Sequence, residues 1–368
     1  MKNNQSIRQL LRKVRKVDIK FILNIYILVF LSLSFVYSAS LKKHGIFFKK
    51  EIVWTLLGTI VFIIFSLIDY KKYAKYSKVI YTLNIGLLLS VYVIGKKILG
   101  AKRWISLGFM SIQPSEFAKI FLVLTFSELL ANKYSKGVRG WKNIIVCGFH
   151  ILIPFLLILK EPDLGTSLVL IFIFFLLIFL NDVDLYPLFS LVGAGIIFIP
   201  IAYFFLLKDY QRGRIDTFLD PTKDLHGSGW NVVQSMIATG SGGLFGKGFL
   251  HGTQNKLKFL PESHTDFIFS VLSEELGFLG SSILIILYLT LIIYIINVGR
   301  KTKDRYGKFV AFGIAGIFFF HVFVNIGMAI GIMPVTGLPL LLMSYGGSSF
   351  MFSFMMLGIV QSIKNYSN

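Results

Sequence analysis

Apolar residues recur along this chain in long runs rather than in the short alternations of a soluble domain. Ten such runs stand out, at roughly 19–38, 51–68, 78–95, 115–131, 144–159, 164–180, 185–207, 266–298, 309–330 and 348–363. The pattern predicts an all-α integral membrane protein of about ten transmembrane helices, forming a single polytopic domain over residues 1–368. The eighth run is too long for one straight span. Gly277 and Gly280 inside it predict a break, with a short helix leading into a full span. Between the seventh and eighth runs lie residues 208–265, too long for a simple connector and rich in glycine. A large structured extracytoplasmic loop is expected there.

The polar segments between runs set the orientation. The N-terminal arm "MKNNQSIRQLLRKVRKVDIK" is strongly basic and precedes the apolar run from Phe21 to Tyr37. "SAS" at 38–40 resembles a cleavage site, but the run exceeds a signal-peptide core and further spans follow. It reads as an uncleaved first helix with its N-terminus in the cytoplasm, and ten spans return the C-terminus to the same side. The segments then placed inside include "DYKKYAKYSK", "NKYSKGVRGWKN" and "RKTKDRYGK", in line with positive-inside orientation. Two outer segments, "LKKHGIFFKK" and "GKKILGAKRW", are also basic. They suit either the phosphates of outer-leaflet lipids or an anionic substrate on that face, and the pattern leaves both open.

Composition agrees with this picture. The chain is 55% hydrophobic and 15% charged, with a formal net charge of +20, and its mean hydropathy is +0.72. In a soluble protein that charge would point to nucleic acid. Here the basic residues sit in short segments between apolar runs, where they meet anionic lipid heads, so nucleic acid is set aside. The single cysteine, Cys147, excludes an intrachain disulfide.

Ionisable residues within apolar runs are costly and mark candidate sites. Glu116 and Lys119 lie three apart on one helix face, after a helix start at Pro114–Ser115. They read equally as a packing ion pair or as the lining of a cavity open to the outer leaflet. Glu128 belongs nearer the cytoplasmic end of the same helix. His150 and His321, alone in apolar runs, read as packing residues. Asp163 in "KEPDLGTSL" is a natural N-cap for a helix beginning at Leu164. In the long loop, Arg212 and Arg214 are spaced to present two guanidiniums, groups suited to phosphate. "GSGGLFGKG" fails the phosphate-loop pattern, because Ser241 stands where a glycine is required and Gly248 follows Lys247. It reads instead as a glycine turn that lets backbone come close to a ligand or a helix. Asp266 is the sharpest candidate. Ser263–Asp266 matches a capping box for the following helix. A carboxylate beside His264 on the basic outer face also suits a proton acceptor. The residues alone leave both readings open.

Several long stretches then fall in order: "GAKRWISLGFMSIQPSEFAKI", "EPDLGTSL", "YQRGRIDTFLDP", "QSMIATGSGGLFGKG", "LPESHTDFIFSVLSEELGFLG" and "MPVTGLPLLLMSYGGSS". From about the third run to the C-terminus the chain resembles the SEDS family (shape, elongation, division and sporulation). "HGTQ" followed by "LKFLPE" resembles its elongation branch. Leu341 stands where the family often has a second proline. The resemblance implies a peptidoglycan glycosyltransferase that polymerises lipid II at the outer face of the cytoplasmic membrane, beside a class B penicillin-binding protein acting as transpeptidase. It implies that Asp266 is the catalytic base on the acceptor hydroxyl. It also places Arg103, Trp104 and the Glu116–Lys119 pair in the substrate site. The departing diphosphate would then call for outer-face cations, for which Lys102, Arg212 and Arg214 are further candidates, with His264 beside the base and a divalent cation such as Mg2+ or Mn2+ able to share the charge. A lipid II transporter and a scaffold for a transpeptidase are the competing readings.

Overall fold

The computed structural model describes residues 18–41, 45–98, 101–106, 108, 111–207, 209–221, 228–257 and 259–367. Helices occupy all ten apolar runs: α1 (Ile19–Ser40), α2 (Ile46–Leu67), α4 (Ser77–Ile94), α5 (Pro114–Asn132), α6 (Gly140–Lys160), α7 (Leu164–Phe179), α8 (Leu185–Ile201), α12 (Ile268–Lys301), α13 (Arg305–Ala329) and α14 (Gly347–Tyr366). A short helix, α3 (Lys71–Lys75), lies between α2 and α4. Seven of the ten long helices are long and apolar enough to cross a membrane by themselves, α8 together with the π-turn that extends it. Of the other three, α7 is a shorter apolar helix of 16 residues.

The two more polar helices, α5 and α14, sit at the centre. Thirteen of the 19 residues of α5 are buried, and 16 of the 20 in α14. Shielded by their neighbours, these helices can carry Glu116, Lys119, Gln361 and several serines at no cost in lipid contact. The segment Leu185–Phe205 shows the opposite arrangement. It is 6% buried, carries no charged residue, and turns Ile196, Ile197 and Phe205 outward. Its apolar surface fits a lipid environment.

The chain is not wholly helical. Between α4 and α5, β1 (Lys96–Ile98), β2 (Ala101–Ser106) and β3 (Ser111–Ile112) form a small antiparallel sheet in the order β1-β2-β3. Lys96 pairs with Trp104, and Ile105 with Ile112. This hairpin presents the "KRW" segment on the same side of the bundle as the 208–265 region. That region is itself structured, by α9 (Asp209–Leu219), α10 (Ser228–Ser241) and the short α11 (Thr253–Lys256). α10 packs on α12, where Ser235 Oγ bonds Ser270 Oγ at 2.7 Å and the Ala329 carbonyl at 2.9 Å.

α12 is broken at Gly277, whose φ of 67° and ψ of −162° leave the helical region. Gly280 stays helical. The glycine turn Gly240–Gly248 supplies the partners that the break removes. Phe278 N and Leu279 N bond the Gly243 and Leu244 carbonyls at 2.8 and 3.1 Å, and Lys247 N and Gly248 N bond the Glu274 and Glu275 carbonyls at 3.0 Å each. A Cβ at Gly246 would lie 2.2 Å from Glu275 O, so no side chain fits there. This close approach to a helix is one of the two roles expected of the turn.

A second irregular stretch, residues 333–346, connects α13 to α14. The pattern made it an outer loop, but it folds back into the bundle, with Leu338, Leu340, Leu341, Leu342 and Met343 all buried. Buried irregular backbone needs donors from its surroundings. Ser32 from the middle of α1 bonds Met343 O at 2.9 Å, and Tyr288 from α12 bonds Leu341 O at 2.7 Å.

Candidate active site

The chain before α12 is a series of turns. Glu262, with φ 48°, accepts from Thr265 N and Phe267 N through its carbonyl. The helix begins only at Ile268, behind Phe267, and no side chain caps it. The capping-box reading of Ser263–Asp266 therefore fails, because the chain turns there rather than starting the helix. Asp163, by contrast, caps α7 as expected, accepting from Thr166 N at 3.2 Å. It also accepts from Gln113 and Ser115 at 3.0 and 3.2 Å, which ties α5 to α7.

Freed from capping, Asp266 is held by its backbone. Three consecutive carbonyls are anchored: His264 O by Tyr345 N at 2.9 Å, Thr265 O by Ser344 Oγ at 2.6 Å, and Asp266 O by Asn325 Nδ2 at 3.0 Å. Two of these donors belong to the buried 333–346 segment. A Cβ at Gly337 in the same segment would stand 3.8 Å from Asp266 Oδ2. The carboxylate is partly buried, and burial, with a smaller push from Glu262, raises its pKa to about 6. Arg214 and Arg103 pull in the other direction. The result is a carboxylate between two guanidiniums, on a fixed backbone, titrating close to neutrality.

Each flanking arginine is positioned by backbone. Arg214, on α9, donates to Thr336 O at 3.1 Å. Arg103, on β2, donates through Nε to Glu161 O at 2.9 Å and through Nη2 to Pro162 O, so the sheet and the α6–α7 turn move together. Beneath it lies Glu161, 2% exposed, with neither carboxylate oxygen hydrogen-bonded. Burial, then Asp163, raise its pKa to about 8 against the pull of Arg103.

The other sequence candidates part from this centre. Lys102 is exposed and donates to the Tyr92 carbonyl at the end of α4. Trp104 is partly buried on β2. Arg212 turns the other way from Arg214 and bonds Phe204 O at 2.8 Å, which separates the expected guanidinium pair. His264 stacks on Phe47 with ring centroids 4.2 Å apart and lies against Tyr345. Glu116 and Lys119 do pair, at 2.9 Å, but Lys119 is 0% exposed. Its ammonium also bonds His321 Nε2 at 2.9 Å and lies 4.7 Å over the Phe352 ring. An ammonium so enclosed cannot meet a diphosphate, which removes Lys119 from the cations that face substrate. His321 is therefore a member of a polar chain rather than isolated packing. The signal for it was legible, since His321 and Asn325 lie four apart on one face of an apolar helix. Glu161 stood in the quoted "EPD" and was passed over. Among the described residues no three His, Cys, Asp or Glu side chains come together as metal ligands.

This helical fold has known counterparts. Residues 16–368 match the profile of the cell cycle protein family of FtsW, RodA and SpoVE, and the chain belongs to that family. Among its relatives, the peptidoglycan glycosyltransferase MrdB of Escherichia coli K12 is 40% identical over 335 residues, covering 90% of this chain and 89% of the relative. The peptidoglycan glycosyltransferase RodA of Treponema pallidum is 33% identical, covering 96% and 98%. Two solved structures share the fold. One is a chain of a peptidoglycan synthase complex that coordinates polymerization and crosslinking (TM-score 0.81, 28% identity, 95% of this chain and 99% of that one). The other is the rod shape determining protein RodA of Thermus thermophilus (TM-score 0.72, 27% identity, 95% and 98%).

Proposed function

We propose that this chain, a peptidoglycan glycosyltransferase, polymerises lipid II at the outer face of the cytoplasmic membrane with Asp266 as general base. The observation that carries the reading is Asp266 itself: a carboxylate with pKa raised to about 6, between Arg103 and Arg214, on backbone fixed at three successive carbonyls. A general base works best when its pKa lies near the working pH. The acceptor sugar's C4 hydroxyl gives its proton to the Asp266 carboxylate while its oxygen bonds the donor's anomeric carbon. The bond from that carbon to the lipid diphosphate breaks, and the electron pair leaves with the phosphate. The base stands opposite the leaving group, so the anomeric centre inverts. Arg103 and Arg214, on the base's side of the reaction, favour the ionised carboxylate that takes the proton. Their attachment to backbone carbonyls fixes them before the reaction begins.

The ten long helices then carry the N- and C-termini on the cytoplasmic side, and α9, α10 and the β-sheet outside, where the lipid-diphosphate donor presents its sugar. The kinship with a synthase complex supports a class B penicillin-binding protein as partner, supplying the crosslinking activity. Discontinuous helices such as the one broken at Gly277 are also common in transporters. Purified protein, its partner and lipid II separate the readings. Wild type should form glycan strands, and Asp266→Asn should lose them by a factor on the order of 100 to 10,000. Strand formation by Asp266→Asn rejects the base, and lipid II translocation in vesicles without strand formation favours the carrier.

A further inference from the structure

We infer that His321 and Asn325 are positioning residues that set the height of Asp266 through the buried 333–346 segment. This rests on Asp266 being the base.

The chain of contacts begins at the ion pair. Lys119 Nζ bonds Glu116 Oε1 and His321 Nε2, each at 2.9 Å. An ammonium can only donate, so Nε2 accepts. The partner of Nδ1 is the Pro339 carbonyl, at 2.9 Å, which can only accept, so Nδ1 carries the proton. The tautomer is thereby fixed, and one face of the imidazole is committed to Pro339. One residue earlier, Leu338 O takes a hydrogen bond from Asn325 Nδ2 at 2.9 Å, and the same amide nitrogen donates to Asp266 O at 3.0 Å. The two hydrogens of one side-chain amide join the inserted segment to the backbone of the base. His321 and Asn325 are both 0% exposed and Leu338 is 1% exposed, while Pro339 is partly buried.

The inserted segment also holds His264 O and Thr265 O, through Tyr345 N and Ser344 Oγ. A shift at Leu338–Pro339 therefore reaches Asp266 along two routes, through Asn325 and through the turn before it. Misplacing a reacting group by about 1 Å can cost on the order of 100-fold in rate. The Glu116–Lys119 pair, closed to substrate, acts at a distance in this arrangement. Its ammonium keeps His321 in the one tautomer that can hold Pro339.

Steady-state polymerisation by the full protein with its partner tests this. Asn325→Leu keeps shape and removes both donors. His321→Leu removes the Pro339 bond, and His321→Gln keeps one donor and one acceptor. The expected result is a kcat lower by about 10- to 100-fold in both leucine variants, with KM for lipid II within about twofold, and partial recovery in His321→Gln. His150→Leu, a half-buried histidine bonded to Thr125 on another side of α5, controls for removing a histidine from the bundle and should keep wild-type kcat. Wild-type kcat in either leucine variant overturns the inference, as does a loss confined to KM or one matched by His150→Leu. If His321→Leu does not accumulate, the Asn325→Leu and His321→Gln rates decide. Asp266→Asn in the same assay keeps the two claims apart. Its activity rejects the base, whereas an inactive Asp266→Asn beside fully active leucine variants rejects the positioning alone.

Discussion

The Glu116–Lys119 pair and the Asp266 carboxylate are both charged groups in a mostly apolar chain, and both lie in motifs that stand out in the sequence. The structure treats them in opposite ways. Lys119 is fully buried, with Glu116, His321 and the Phe352 ring around its ammonium. Asp266 is only partly buried, and its surroundings act on it as unbalanced charge: Glu262 on one side, Arg103 and Arg214 on the other. A buried network closed off from solvent fixes geometry and is shut to a ligand, even where one oxygen, Glu116 Oε2, has no hydrogen bond. A partly solvated carboxylate with a raised pKa can still exchange a proton. Sequence spacing cannot tell the two apart, because it reports which charges are near each other and not how many of their bonds are already made.

The largest expected effects separate the two clusters directly. Asp266→Asn should abolish most polymerisation yet leave the unfolding temperature in detergent at or above that of wild type. The folded state holds the carboxyl pKa above its ordinary value, so the ionised form is disfavoured on folding and the neutral amide removes that cost at pH above about 6. Lys119→Met should destabilise by about 3–5 kcal/mol, because it strands the Glu116 charge in the interior. The double variant Glu116→Gln with Lys119→Met should regain most of that stability, measured by the same thermal unfolding. A single variant as stable as wild type would mean the pair is not the closed structural element described.

A smaller effect tests the break in α12 and the glycine turn packed against it. Gly277→Ala places a side chain at φ 67° and brings its Cβ to 2.3 Å from Gly246 N. It should cost about 1–3 kcal/mol in unfolding free energy and loosen the glycine turn to limited proteolysis. The smallest effect concerns Glu161. Its pKa is raised to about 8 from an ordinary 4.5, so the folded protein keeps a proton that the unfolded chain releases. Stability should therefore be greatest below pH 4.5, as far as this group contributes, and decline as pH rises to about 8. Glu161→Gln should flatten that decline, seen as a higher unfolding temperature than wild type at pH 8–9 and little difference near pH 5.

How much of this was legible beforehand follows from the kind of signal each part leaves. The ten long helices were readable because apolar runs of span length are a composition signal. The break in α12 was readable at Gly277, although Gly280 stayed helical, since one position in a backbone region open only to glycine suffices. The burial of 333–346 was not readable. Its leucines suit an outer loop at a membrane surface as well as a buried strap, and the donors that satisfy it come from Ser32, Tyr288, His321 and Asn325, far away in sequence. Helix geometry and the same long-range bonds explain the errors at the site. Arg212 and Arg214 are two apart, and once that segment is helical they face opposite sides, one toward Phe204 O and the other toward Thr336 O. The capping box at Ser263–Asp266 was a correct local pattern overruled by Tyr345, Ser344 and Asn325.

The central claim is that Asp266 is the group whose ionisation switches the reaction on. The pH dependence of kcat/KM for wild type and Glu262→Gln tests it most directly. Wild type should lose activity as pH falls through about 6. In Glu262→Gln, where a like charge is removed, the same acidic limb should move to lower pH while the rate at pH 8 is kept. An acidic limb that stays at the same pH in both proteins would contradict the assignment of Asp266 as the titrating base.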